Sequence, residues 1–211
     1  MTRLDWGTPG ERFFEAGVDR GVLYITGDGV PWNGLTAVRE SPSGGEPTPY
    51  YIDEIKYRNL SAAEEFAATI EALNSPPEFA ACDGVSQIHT GLFVSEQPRT
   101  SFDLSYRNLV GNDLEGEEHG YKIHLVYNAL ASPTERTNST LTDSPSPLGL
   151  SWTISTMAPA LVNRRRSAHF VVDSRTTDPL VLEELEDILY GTVSTDPSIP
   201  TPTELVALFA P

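Results

Sequence analysis

Apolar residues in this chain fall in short runs that alternate with polar ones, and glycine or proline breaks the runs about every ten positions. A two-residue period puts successive side chains on opposite faces of an extended strand, so the pattern predicts a mainly β protein of the sandwich or barrel class. Strands are expected at Gly21–Thr26 and Leu35–Glu40, then a hairpin turn around Ser41-Pro42-Ser43-Gly44-Gly45 returning through Tyr50-Tyr51-Ile52, then a short strand over Lys56–Leu60. The alternation is cleanest in Ser101–Asn108 and Tyr121–Asn128, joined by a polar loop over Gly111–Glu118. In the second of these, Tyr121, Ile123, Leu125 and Tyr127 share one face, and Lys122, His124 and Val126 share the other. That second face, charged at one end and apolar at the other, is expected to be a subunit contact or a half-wet surface. Further strands are expected at Leu148–Thr156, around Trp152, and at Ala168–Asp173.

The period lengthens in two places. Pro179–Tyr190 reads as an α-helix, with Asp178 as its cap, Pro179 in its first turn and Gly191 as its stop. Leu180, Leu182, Leu185, Ile188 and Leu189 give it a broad apolar face. A short C-terminal helix follows at roughly residues 202–209, apolar through Leu205, Val206, Leu208 and Phe209, and is expected to dock on its own domain or on a neighbouring subunit. Residues 61–73 are ambiguous. Ser61 with Glu64 has capping-box spacing, whereas Phe66, Ala68, Ile70 and Ala72 alternate as in a strand, so the expectation is a short helical turn and then a strand. Pro76-Pro77 ends that segment. The whole chain, 1–211, reads as one domain with loops or arms near 27–34, 41–49, 131–147 and 157–167.

Charge sharpens this picture. Thirty acidic residues against fourteen basic ones give a formal charge of −16, unsuited to gripping a polyanion such as nucleic acid across the general surface. The same charge suits a soluble surface or one that nucleic acid must pass without adhering. No apolar run approaches the roughly 18 residues of a spanning helix, so no membrane association is expected. The opening Met1-Thr2-Arg3-Leu4-Asp5-Trp6 lacks the apolar run of a secretory signal, and synthesis in a cytoplasm is expected. Asn59-Leu60-Ser61 and Asn138-Ser139-Thr140 match the glycosylation pattern but carry no meaning without secretion. The single cysteine, Cys82, leaves no intrachain disulfide and reads as a small buried apolar residue.

Candidate chemistry is sparse. There is no Gly-x-Ser-x-Gly elbow and no His-Glu-x-x-His, so no enzyme is expected. Gly27-Asp28-Gly29 and Gly44-Gly45 lack the lysine and helix of a phosphate loop and read as turn glycines. His119 and His124 lie five apart on one strand and face opposite ways, so a metal role would need ligands from elsewhere; no metal or cofactor is expected. Two clusters remain. Asp113, Glu115, Glu117 and Glu118 crowd the loop between the two best strands, where near-alternate oxygen ligands would suit calcium although the EF-hand spacing is not met; a solvated acidic loop is the plainer reading. Arg164, Arg165 and Arg166 form the one basic run, too small for a nucleic-acid patch but able to pair with acids of an adjacent subunit.

Several phrases go beyond generic β-protein text. They are Trp6-Gly7 with Gly10 and Arg12, Gly17-Val18-Asp19-Arg20-Gly21-Val22-Leu23-Tyr24, Trp32-Asn33-Gly34-Leu35, Pro77-Glu78-Phe79, Cys82-Asp83-Gly84 and Gln97-Pro98-Arg99. Ser105-Tyr106-Arg107, Gly111-Asn112-Asp113, the run Gly120-Tyr121-Lys122-Ile123-His124-Leu125-Val126-Tyr127-Asn128, Ala168-His169, Val172-Asp173-Ser174 and Leu189-Tyr190-Gly191 extend the set over nearly the whole chain. Together they resemble the major tail proteins of long-tailed phages and prophages of Gram-positive bacteria, especially actinobacteria. The resemblance implies a β-sandwich or partly rolled barrel with a flanking helix. It implies subunits closing into rings, commonly hexameric, that stack into a hollow virion tail tube assembled in the host cytoplasm. Its partners would be further copies of itself and the tape measure, tail terminator and distal tail proteins, with phage DNA passing through the lumen unbound. On that reading Asp113, Glu115, Glu117 and Glu118 face the lumen or a ring contact, and Arg164–Arg166 reach a neighbouring subunit. A distal tail or baseplate component is the nearest alternative, and a carbohydrate-binding module for host attachment is the alternative from another class.

Overall fold

A computed structural model describes residues 4–138, 140, 149–161 and 164–210. Among these the chain runs β1 (Phe14–Ile25), β2 (Asp28–Pro31), β3 (Leu35–Glu40), β4 (Ser43–Gly44), β5 (Pro47–Ile52), β6 (Ile55–Ser61), β7 (Glu64–Glu65) and β8 (Ala67–Ala72). After a 3-10 turn at Pro77–Ala81 come β9 (Ser86–His89), β10 (Leu92–Val94), β11 (Phe102–Asn112), β12 (Gly116–Ala131), β13 (Leu150–Thr156) and β14 (His169–Asp173), then α1 (Pro179–Tyr190) and α2 (Pro202–Leu208). The described residues are mainly β with two helices.

One eight-stranded sheet, ordered β2-β1-β11-β12-β13-β8-β3 with β14 also paired to β12, forms the body. The long strand β12 changes partner along one edge: Lys122–Val126 pair with β14, and Ala129–Ala131 with β13. Bulges bend β1, where Gly17 and Arg20 both have positive φ. The sheet curls until β3 at one end lies against β1, where Gly21 admits no side chain without displacing Leu35.

Both faces of the curled sheet carry a buried cluster, the outer one along β1, β12 and β14, whereas Thr153 and Ser155 of β13 are exposed. Inside the roll, Trp32, Phe79, Phe102 and Trp152 pack ring against ring at centroid distances of 4.7 to 5.7 Å. Leu23, Leu104, Ile70, Ile154, Val126 and the free Cys82 fill in around them. On the outer face, Leu185 and Leu189 of α1 and Leu205 of α2 cover Tyr24, Ile123, Leu125, Tyr127 and Val172. Two phenols tie this layer down: Tyr24 donates to the carbonyl of Leu189 at 2.8 Å and Tyr127 to that of Pro200 at 2.9 Å. Asp178 caps α1 by accepting the Leu180 N–H, and a full capping box between Thr201 and Glu204 starts α2. Leu180 stays exposed in the first turn of α1, so the apolar face is narrower than its leucines suggest, and Val206 and Phe209 of the C-terminal segment also point outward.

The alternation expected along β12 is present, but its second face differs from expectation. Val126 lies in the inner core and His124 is buried, because the roll encloses that face instead of leaving it to solvent or a partner. The expected turn at Ser41–Gly45 does not reverse the chain onto Tyr50–Ile52. There β3 pairs with β8, β4 with β7, and the reversal comes at Asp53-Glu54 between β5 and β6. The helical turn expected near Ser61–Glu64 is likewise absent: Glu64 and Glu65 are extended and paired with Gly44 and Ser43. A local capping signal lost to ladder hydrogen bonds from a distant segment. The expected loop at 27–34 contains β2, turned back on β1 by Thr26-Gly27 with both φ positive, as a two-residue hairpin requires. That at 41–49 contains β4 and the start of β5, and Gly111–Glu118 shrinks to a three-residue turn at Asp113–Glu115. Residues 157–161 and 164–167 form no helix or strand, as expected. Residue 139 and the stretch 141–148 of the expected arm at 131–147, with the start of the strand expected from Leu148, lie outside the described residues.

Candidate functional site

Apolar surface is concentrated on segments that leave the sheet. Among the described residues, strands β5 and β6 pair only with each other, apart from the main sheet, and every one of their residues is exposed. Proline at positions 47 and 49 leaves two edge positions without a donor, and Asp53 and Glu54, at φ 47° and 64°, make the tight reversal. The hairpin carries Tyr50, Tyr51, Ile52, Ile55, Tyr57 and Leu60, with Ile55 at 72% and Tyr57 at 73% exposure. An isolated two-stranded hairpin is marginal in water, and a set of side chains this apolar is normally covered by a partner. A second separate hairpin, β9–β10, exposes Ile88, Leu92 and Phe93. Trp6, 80% exposed, adds an aromatic from the N-terminal segment. Charge and motifs give no sign of these surfaces; the run of tyrosines and isoleucines without inward alternation is the available signal.

The four acids of the β11–β12 turn do not act as one group. Asn112 Oδ1 accepts the N–H groups of Leu114 and Glu115, which fixes the turn. Asp113 accepts the N–H of Gly10 at 2.8 Å and so anchors the N-terminal segment. Glu115 meets His119 Nδ1 at 2.6 Å, and the His119 ring stacks on Phe13. Glu117 and Glu118 are exposed beside a surface depression shared with Asp19, Arg107 and Tyr121. Among the described residues these four carboxylates form no converging cation cluster. Arg164, Arg165 and Arg166 are exposed on the connection before β14. Because β14 runs antiparallel to β12, with Lys122 opposite Asp173 and Val126 opposite His169, the basic run and the acidic turn lie at opposite ends of that pair.

His119 and His124 do not meet, as expected. His124 meets residues that sequence spacing could not supply. Its Nδ1 lies 3.0 Å from His169 Nε2 and 3.3 Å from Glu40 Oε1, and His169 Nε2 lies 3.9 Å from the same oxygen. These come from β12, from the first residue of β14 and from the last of β3. Tyr106 donates to Glu40 Oε1 at 2.9 Å and stacks on the His124 ring, and Phe66 lies against the His169 ring. Burial, reinforced by His169, pushes His124 down to about 4, with Glu40 opposing. Burial also lowers His169, again against Glu40. Burial, with Glu40 adding to it, pushes the Tyr106 phenol up, so it stays a donor.

No family model matches the sequence, and no curated protein matches it. Among solved structures the chain is similar to a chain of the anti-feeding prophage baseplate, at 10% identity over 80% of this chain and 97% of that one, with a TM-score of 0.40. It is also similar to a chain of the PVC sheath/tube terminator of an extracellular contractile injection system, in the extended state, at 12% identity over 81% and 99% and a TM-score of 0.37. A chain of the extended PVC sheath–tube complex is similar at 13% identity over 81% and 94%, with a TM-score of 0.36.

Proposed function

We propose that this protein is a structural tail subunit that assembles with copies of itself into stacked rings, forming the tube of a long-tailed phage, and that it performs no catalysis. The observation that carries the reading is the β5–β6 hairpin, a projecting element whose apolar side chains have no cover among the described residues. A second copy is the natural cover, since a heterologous contact closes into a ring when its rotation closes and rings then stack. Strand β14 pairs only with β12 among the described residues, which leaves an edge for strand addition between copies. The phrases distributed from Trp6-Gly7 to Leu189-Tyr190-Gly191 support the tail assignment. The charge of −16 suits a lumen that DNA crosses without adhering. On this reading Glu117 and Glu118, outward at the start of β12, supply lumen-facing or ring-contact charge, and Arg164–Arg166 reach a neighbouring copy.

Sedimentation velocity on purified protein over a rising concentration series tests the proposal. Cooperative conversion from monomer to rings or longer assemblies is expected. A protein that remains monomeric at the highest attainable concentration defeats the tube reading, and a few copies per virion, counted from band intensities of purified particles, would place the subunit at the tail tip instead.

A further inference from the structure

The geometry points to a divalent transition-metal site formed by Glu40, His124 and His169, with Zn2+ as the ion its donors suit best. Three donor atoms, two imidazole nitrogens and one carboxylate oxygen, converge with separations of 3.0, 3.3 and 3.9 Å. Ligands held about 2.0–2.2 Å from a tetrahedral zinc ion stand roughly 3.4 Å from one another, so the three atoms already outline one face of that coordination shell. The donor set of two imidazoles and one carboxylate leaves a further position, as in open zinc sites. Glu40 and His169 also line a surface cavity of about 700 Å³ together with Arg165 and Arg166. The two arginines would favour water or an anion as the outer ligand.

The surroundings hold the donors in place. Tyr106 orients the Glu40 carboxylate by donating to the proposed ligating oxygen itself. The Tyr106 and Phe66 rings fix the planes of His124 and His169. Nε2 of His124 is buried without a partner among the described residues, so this imidazole is held through its Nδ1 side alone. Without an ion, one imidazole proton lies between His124 Nδ1 and His169 Nε2 while the Tyr106 hydroxyl serves Glu40 Oε1. A cation serves all three donor atoms at once.

The position in the fold gives the ion a purpose. Glu40 ends β3, on one arm of the sheet, and His169 begins β14, on the other, where β12 passes from one partner to the next. An ion there would bridge the two arms across the fork and brace the rolled sheet without any added chain contact.

Full-length protein stripped with chelator, then given Zn2+ and passed through a desalting column, is expected to retain one ion per chain by elemental analysis. Zn2+ is expected to raise its melting temperature. Glu40→Gln and His169→Gln, both at partly exposed positions, should fold with the melting temperature of metal-free wild type. Each should bind Zn2+ at least tenfold more weakly, with the thermal shift lost. Co2+ should give the intense visible absorption of a four-coordinate ion in wild type and not in the variants. The site is refuted if wild type retains no ion, or if both variants retain Zn2+ as well as wild type does; either result leaves the trio as a hydrogen-bonded cluster only.

Discussion

Replacing Ile55 and Tyr57 together by serine isolates the contribution of the projecting hairpin to assembly. Both side chains are more than two-thirds exposed in the subunit, so each leaves roughly 100 Å² for a neighbouring copy to cover. At about 25 cal/mol per Å² the two contribute ~5 kcal/mol to a contact. With each ~1.4 kcal/mol worth a factor of ten, association weakens by roughly three to four orders of magnitude. The monomer should barely notice, because exposed substitutions away from special features cost within about 0.5 kcal/mol. Sedimentation velocity of wild type and variant over the same concentrations, with a thermal melt of each, separates the two effects. Assembly should move to far higher concentration while the melt stays put. If the variant assembles at the wild-type concentration, the hairpin is no contact; if its melt falls instead, the hairpin packs on its own domain.

Four further outcomes follow from the fold. Leu189→Ala removes a fully buried side chain between α1 and the sheet and should cost about 2–5 kcal/mol in denaturant unfolding; a loss below 1 kcal/mol would mean α1 is loosely docked. Gly111→Ala would place a Cβ 2.3 Å from Phe14 Cζ and 2.4 Å from the Gly116 carbonyl, and should cost at least about 1–3 kcal/mol, whereas a neutral change in melting temperature contradicts the β1–β11–β12 register. Tyr24→Phe strands the buried carbonyl of Leu189 and should cost about 1–3 kcal/mol by the same measurement. Asp173 is held below the ordinary carboxylate range by its hydrogen bonds to Arg175. Its contribution is therefore complete above the unfolded-state pKa of about 3.9 and fades as pH falls through the lower folded value; Asp173→Asn should lose less stability than wild type over that acid range, and identical acid profiles would remove Asp173 from the account.

What the sequence revealed was local, and what it concealed was pairing. The period of Ala68, Ile70 and Ala72, and the Asp178, Pro179 and Gly191 signals of α1, depend on neighbours within a few positions, and all three inward residues and all three signals are found where expected. Ser43–Gly44 was misplaced because its partner is Glu64–Glu65, and alternation tells which face a residue takes but not which strand it joins. The first half of β1, Phe14–Arg20, escaped notice because its bulges break the two-residue period. The same limit hid the Glu40–His124–His169 cluster. One partial clue stood in the text: His124 shares a face with Val126, and once that face is a core, a histidine on it must find a partner.

Negative-stain electron microscopy of the concentrated, full-length protein tests the central claim most directly. Stacked rings or hollow tubes of uniform diameter are the predicted result. A field of single compact particles at concentrations where the exposed β5–β6 hairpins should already have met would contradict it.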